Sequence, residues 1–523
     1  MKTSKAVFIA PAIVLLLFKL AISLNTLVVS MKNFRPAMGV EGSPWVGFKN
    51  FTDFFGSPYF GRLLINTLIL GGMPIILTCA VAAILVFCIA NIPGRPAKYA
   101  ALTVIAIPAF VPAAAFSGLM MEVLAPDKGI VAGLMAALSL DPINFFADAG
   151  SYPLVFAVMG VLRNAFIPVV IGLLAYNAQS NKVRSVGAAL GVYACFRFAF
   201  VFSPDIETIL LTYSPLTFAS ADVFETFIYR KGFLEASYSY ASAVWVTKTV
   251  LQVIAAAGAA VGVLIFGESF KTTEKIENTS GEDSAAAVPA VVGFLVFAAP
   301  FVLVISTLFG FKTSTFPILF ANPNIVKAIS NSLLYTPVSS LLFVLVAVVL
   351  AYPLTFKTKW YPLIMFSILA INNNFIGEYL FANTLGMEGV STALISTGFS
   401  AAGAFAIYFA VRNQFENTAP DISDYIRAVI LPAAVLFCVA FIFNWGGYFY
   451  EMLYLRKRAA FSLSLVGREI LLDADGVSIA KEIQAAVRFL MSVVPVGLGV
   501  VLIWFDAFLP VPILQLFTAK AKR

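Results

Sequence analysis

Five ionisable side chains stand deep inside apolar runs of this chain: Lys19, Arg163, Arg197, Lys248 and Glu378. A charge in hydrocarbon costs about 3 kcal/mol or more, so each such residue is expected either to face a water-filled route or to meet an opposite charge between helices. Asn164 follows Arg163, with Pro168 close behind, a place where a bent helix would aim polar groups inward. Asn372, Asn373 and Asn374 put three amides in succession, and these cannot all face lipid. They form either a midplane hydrogen-bonding site suited to a hydroxyl-rich solute or a short break between two half-helices; the residues alone leave both open. Glu122, Arg488 and Asp506 lie near the ends of apolar runs, where a long side chain snorkels to water. The substrate-pathway candidates are therefore Arg163, Asn164, Arg197, Lys248, Asn372, Asn373, Asn374 and Glu378.

Other chemistry is hard to build from these residues. With no histidine there is no His-based triad, imidazole base or histidine proton relay. No Gly-Lys dipeptide occurs, so a phosphate-cradling loop ending in Gly-Lys-Ser/Thr is absent. No nucleophile sits with a base, and no carboxylates pair at acid/base spacing. Cys79, Cys88, Cys195 and Cys438 all lie in apolar stretches without metal-ligand spacing, so neither a metal site nor a disulfide framework is implied. The expectation is a protein that is not an enzyme and needs no cofactor.

The elements that hold these residues are set by composition. Of 523 residues, 60% are hydrophobic and 12% charged, which makes the bilayer the solvent and membrane lipid the first partner. The chain reads as an all-α polytopic membrane protein with about twelve transmembrane helices. In the first half these are placed near residues 6–30, 63–90, 101–125, 154–176, 187–203 and 240–266. The second set falls near 288–311, 332–355, 361–385, 390–411, 428–445 and 485–509. The first segment is too long for a removed signal peptide and is read as a retained helix. Lys2, Lys5, Arg95, Lys98, Lys182, Arg184, Lys271, Lys275, Lys357, Lys359, Arg412, Arg427, Lys520, Lys522 and Arg523 fall on one side, which places both termini in the cytoplasm of a plasma (inner) membrane. The net charge of +7 is scattered over loop ends, so nucleic acid is not an expected partner.

A polar stretch from Gly267 to Ala287 interrupts the apolar pattern. It divides the chain into a first membrane unit, 1–267, a cytoplasmic linker, 268–287, and a second membrane unit, 288–523. In each unit the external loops after the first and fifth spans are long and the second-to-third loop is short and basic. That rhythm describes a tandem repeat in parallel orientation, two six-helix bundles enclosing a route along the membrane normal. Gly258 and Gly262 supply a Gly-x-x-x-Gly spacing for close helix packing.

Several strings then carry a resemblance. In the first half they are Gly47-Phe48-Lys49-Asn50-Phe51, Asn66-Thr67, Pro126-Asp127-Lys128-Gly129, Tyr213-Ser214-Pro215-Leu216, Ala221-Asp222-Val223, Tyr229-Arg230-Lys231-Gly232 and Tyr238-Ser239-Tyr240-Ala241. In the second half they are Asn331-Ser332, Ala351-Tyr352-Pro353-Leu354, Ile430-Leu431-Pro432, Trp445 with Leu453-Tyr454-Leu455, and Arg468-Glu469-Ile470-Leu471. In order, the two sets resemble the two permease subunits of binding-protein-dependent ABC importers of the sugar and complex-oligosaccharide branch, with the maltose-permease type of fold. The resemblance implies a heterodimeric permease core joined into one chain. It also implies an extracytoplasmic solute-binding protein at the external loops and two cytoplasmic ATPase subunits, each gripping one coupling helix.

The coupling helices are where this sequence departs from that family. Their pattern is Glu-Ala-Ala, then Gly, then Ile-x-Leu-Pro, in the loop before the penultimate span. Between the fourth and fifth spans there is only Asn177 to Val186, carrying Lys182 and Arg184, with Gly187, Ala188, Ala189 and Gly191 as a remnant that lacks the glutamate. Between the tenth and eleventh, Arg412 to Arg427 keeps Pro420 and Asp421 and runs into Ile430, Leu431 and Pro432 without the Glu-Ala-Ala portion. A dozen residues joining two spans cannot also supply a docking helix of several turns. Three readings follow: solute import with the ATPase engaged through reduced loops, a permease-derived scaffold that no longer pumps and anchors external partners, and ion-coupled transport through the intramembrane charges. The external stretch from Met31 to Arg62, with Trp45, Phe48, Phe51, Phe54, Phe55, Tyr59 and Phe60, is either a partner-facing surface or an interfacial helix packed at the headgroups.

Overall fold

A computed structural model describes residues 2–178, 181–268, 284–356, 361, 374–387, 389–390, 393, 402–415, 420–472 and 481–505. The described residues are helical apart from turns, loops and two isolated β-bridges. Seven helices are long and apolar enough to cross a membrane, and nine if each of two bent pairs is one span.

In the first unit, α1 (Lys2–Ser30) and α2 (Tyr59–Asn91) are long continuous helices. The expected third span is a folded pair, α3 (Arg95–Phe110) and α4 (Ala113–Val123), bent by 102°. Val111 precedes Pro112 and is pushed into extended conformation (φ −70°, ψ 126°), which ends the helix there. The expected fourth span is α5 (Tyr152–Asn164) with α6 (Phe166–Ala178), bent by 56°. Pro168 cannot donate to the Asn164 carbonyl one turn back, and its ring crowds that group. The fifth is α7 (Lys182–Phe198), 17 residues long, and after the short helices α8 (Ile206–Thr212) and α9 (Phe224–Tyr229) the unit closes with α10 (Tyr238–Glu268).

The second unit opens with α11 (Ser284–Leu308), which begins inside the stretch read as linker because Ala285, Ala286 and Ala287 are strong helix formers. Then come α12 (Pro323–Ala351), α13 (Phe375–Thr384), α14 (Ala402–Val411) and α15 (Ile422–Gly446). The short helices α16 (Phe449–Tyr454) and α17 (Leu463–Leu472) precede α18 (Lys481–Trp504). The spans expected over 361–385 and 390–411 are described only in part, at 361 and 374–385 and at 390, 393 and 402–411.

A hydrogen-bond motif repeats between the units. On α2, the Asn66 side chain donates to the carbonyls of Ala219 and Asp222, both at 3.0 Å, while the Thr67 hydroxyl accepts from the Phe224 amide at 3.2 Å. On α12, 265 positions further on, Asn331 donates to the carbonyls of Ala459 and Phe461 at 3.0 and 2.9 Å, and the Ser332 hydroxyl accepts from Leu463 at 2.8 Å. In both units this pair seats the start of an external helix, α9 or α17, on the second long helix.

The units also interlock. Helix α11 packs against α2 and α3 of the first unit, α18 against α3 and α4, and α1 against α12 and α13 of the second. The largest buried cluster therefore mixes Leu85, Phe110 and Phe166 with Phe301, Trp445 and Met491. A second joins Phe54, Phe227 and Trp245 to Phe375, Phe449 and Tyr454. In lipid such association rests on close packing and interhelical hydrogen bonds, since the tails are as apolar as the side chains.

Candidate functional site

Three of the sequence candidates meet in one cavity of the first unit, of about 60 Å³. Its walls are Leu70, Gly71, Pro74 and Thr78 on α2, Gly160, Arg163 and Asn164 on α5, Tyr193 and Arg197 on α7, and Asp205 and Thr208 at the start of α8. Gly71 is required there, since a Cβ would overlap the Val201 carbonyl where the chain leaves α7. Arg163 donates to the Asp205 carboxylate and, at 3.1 Å, to the Thr208 hydroxyl, while its buried Nε has no acceptor. Asp205 in turn caps α8 by accepting from the Thr208 amide at 3.2 Å. Asn164 turns back on its own helix to donate to the Gly160 carbonyl at 2.8 Å. Arg197, in the last turn of α7, is exposed and makes no ion pair with a described residue.

A counterpart lies at the equivalent place in the second unit. The α12 residues Tyr335, Thr336 and Ser339 stand 265 positions after Leu70, Gly71 and Pro74, and face Asn444, Gly447 and Glu451 across about 20 Å³. Among the described residues, no arginine lines it.

The remaining candidates are engaged elsewhere. Lys248 is buried on α10 and bonds Glu225 on α9 at 2.5 Å, with the two side chains 3% and 2% exposed. Lys19 on α1 bonds Glu378 on α13 at 2.5 Å. Asn374 caps α13, accepting from the Gly377 amide at 3.0 Å, and donates to Thr26 on α1 at 2.9 Å. These contacts staple the first helix of one unit to the other unit. Asn372 and Asn373 lie outside the described residues, as does Asp506. The snorkelling expectation fails for Arg488: it is buried, donating to Glu122 on α4 and to the Gly118 carbonyl at 3.4 Å, because α18 packs into the first unit.

On the cytoplasmic side implied by the basic residues, only three residues separate α6 from α7, so the expected loop 177–186 is shorter still. Asn181 caps α7 by accepting from the Arg184 amide at 3.1 Å. Lys182 and Arg184 thus form the first turn of α7, with Lys182 donating to the Tyr176 hydroxyl at 3.2 Å, and Gly187, Ala188, Ala189 and Gly191 lie within that helix. In the second unit the Pro420 carbonyl accepts from the Tyr352 hydroxyl at 3.1 Å and Asp421 precedes α15. Helix α15 starts six positions before the expected residue 428 and contains Ile430, Leu431 and Pro432, the first two exposed on its apolar face.

Sequence reasoning missed the external contact between the units. The Glu207 carboxylate on α8 accepts from the amides of Tyr448 and Phe449, both at 2.9 Å, so a first-unit carboxylate caps the second unit's α16. The Tyr448 hydroxyl returns a bond to the Glu207 carbonyl at 2.6 Å. Burial, then the nearby Asp205 charge, pushes the Glu207 carboxyl up to about 7. Burial does the same to Glu451, also to about 7. A carboxyl raised in the fold holds its proton more tightly than in the unfolded chain, so this stability is full below about pH 4.5 and lost as pH rises through 7. Each residue contributes on the order of 3 kcal/mol across that window. Glu207→Gln should therefore reduce the fall in thermal midpoint between pH 5 and 8 of the solubilised protein; an unchanged slope counts against the assignment.

No family model matches the sequence. The chain is similar to Protein LplB of Bacillus subtilis (strain 168), 25% identical over 262 residues that are 46% of this chain and 80% of LplB. It is also similar to the polygalacturonan/rhamnogalacturonan transport system permease protein YteP of the same organism, 24% identical over 248 residues, 44% of this chain and 77% of YteP. Among solved structures it is similar to a bacterial ABC transporter involved in import of the acidic polysaccharide alginate, at 23% identity and a TM-score of 0.38 over 44% of this chain and 86% of that one. A second is a bacterial alginate ABC transporter in complex with its alginate pentasaccharide-bound periplasmic protein, at 22% identity and a TM-score of 0.37 over 43% of this chain and 83% of that one. LplB and YteP are each matched over most of their length by under half of this chain, about the size of one of its units.

Proposed function

We propose that the chain is a fused pair of permease units, 1–267 and 288–523 joined by 268–287, that passes a carbohydrate across the plasma membrane. The reading places both termini in the cytoplasm and an extracytoplasmic solute-binding protein on the external loops. The observation that carries it is the paired motif of Asn66-Thr67 and Asn331-Ser332, each seating an external helix on its unit's second long helix, in a chain whose relatives include a permease. ATPase subunits, if they drive the cycle, engage a surface other than a helix between α6 and α7, such as the 268–287 linker or the basic tail from Lys520.

A second reading is favoured by the three-residue spacing between α6 and α7 together with the shared core: a membrane scaffold that anchors external partners and does not pump. Gentle purification from the native membrane separates the two. A stoichiometric ATPase with the chain supports import, and external partners without one support the scaffold. Grafting a full coupling helix between Ala178 and Lys182 should create ATPase binding if the missing helix is the sole defect.

A further inference from the structure

The two repeat-related cavities differ in charge and in size. The first holds two guanidinium groups against one carboxylate, Asp205, which is already taken by Arg163. That leaves the Arg197 charge unneutralised by any described residue and the buried Arg163 Nε without an acceptor. An uncompensated arginine within a spanning bundle is costly unless water or an anion meets it. Tyr193 on α7 and Thr78 on α2 add hydroxyl-bearing side chains to the lining. A volume of about 60 Å³ equals roughly two water molecules, which fits the two oxygens of a carboxylate and excludes a sugar ring. The second-unit cavity, at about 20 Å³, is smaller, has no arginine among its described lining residues, and presents Glu451 instead.

We propose that the first-unit cavity is a carboxylate subsite for an acidic sugar, in which Arg197 receives the uronate group while the ring stays outside. This rests on the reading of the chain as a carbohydrate permease. Arg163 is held in place by Asp205 and Thr208, and Arg197 supplies the charge that selects acidic over neutral solute. The chemistry would equally receive a lipid phosphate, so the experiment separates the two sources.

The full chain in phosphatidylcholine nanodiscs is titrated by calorimetry with a galacturonate trisaccharide and with its carboxyl-reduced galactose counterpart. The acidic trisaccharide is expected to bind at least tenfold tighter. Arg197→Gln should erase that preference, Arg197→Lys should keep part of it, and Thr336→Ala in the second cavity should leave it intact. Because Arg197 makes no ion pair with a described residue, the thermal midpoint of Arg197→Gln should match the parent, which excludes misfolding as the cause. Equal binding of both sugars, or a preference that survives Arg197→Gln, overturns the proposal. So does Arg197-dependent retention of phosphatidylglycerol with no sugar bound, which identifies a lipid site. Uptake in cells separates this from the wider reading: neutral-sugar uptake with no acidic preference removes the subsite and keeps the permease. An acidic preference in nanodiscs with no uptake of either sugar keeps the subsite and removes the permease.

Discussion

Lys248→Met is expected to lower the stability of the solubilised protein by about 3–5 kcal/mol and to cut folded yield sharply. The reason is what remains: the Glu225 carboxyl, 2% exposed, would be left buried without the partner that Lys248 supplies. Taking both charges away should recover most of the loss, so Lys248→Met with Glu225→Leu should sit much nearer the parent than either single variant. The thermal midpoint and the monodisperse fraction after extraction measure this. A Lys248→Met protein as stable as the parent would return Lys248 to the list of pathway residues, since an ion pair that can be broken without loss is not holding α9 against α10.

The second large effect concerns the repeated motif. Asn66→Ala strips partners from the carbonyls of Ala219 and Asp222, and Asn331→Ala does the same to those of Ala459 and Phe461. Each loss should cost about 2–3 kcal/mol, because buried carbonyls stripped of donors keep their full desolvation penalty. The two sites lie in different units and share no partner, so the double variant should be close to additive. Similar single-site losses, read as thermal midpoints, would mark the two asparagines as equivalent parts of a duplicated fold. A large loss at one and none at the other would falsify that equivalence.

Much of the helix layout was legible in the chain. Apolar runs of span length placed α2, α10, α11, α12, α15 and α18, because a segment in lipid must satisfy its own backbone and a helix does so locally. Pro168 marked where the fourth span bends, although not that the bend is 56°, while the 102° break in the third span went unread. The lone charges in those spans were equally visible. Their partners were not. Glu225 lies 23 positions before Lys248 across a turn, Glu378 is 359 from Lys19, and Glu122 is 366 from Arg488. Arg488, taken from sequence to snorkel, lies buried because α18 crosses into the first unit. Nothing local to Glu207 announces that it caps a helix of the other unit.

The sequence by itself determined that this is a helical membrane protein, that it lacks the residues for imidazole or phosphate-loop chemistry, and which charges in its spans need an answer. Only the tertiary structure decided which answer each received: a partner for Lys19, Lys248 and Arg488, and an open cavity wall for Arg197. The physical reason is range. Hydrophobic length and backbone self-satisfaction act along one helix, whereas the cost of a charge in a medium of low dielectric is relieved by whatever group packing brings alongside, from any distance along the chain.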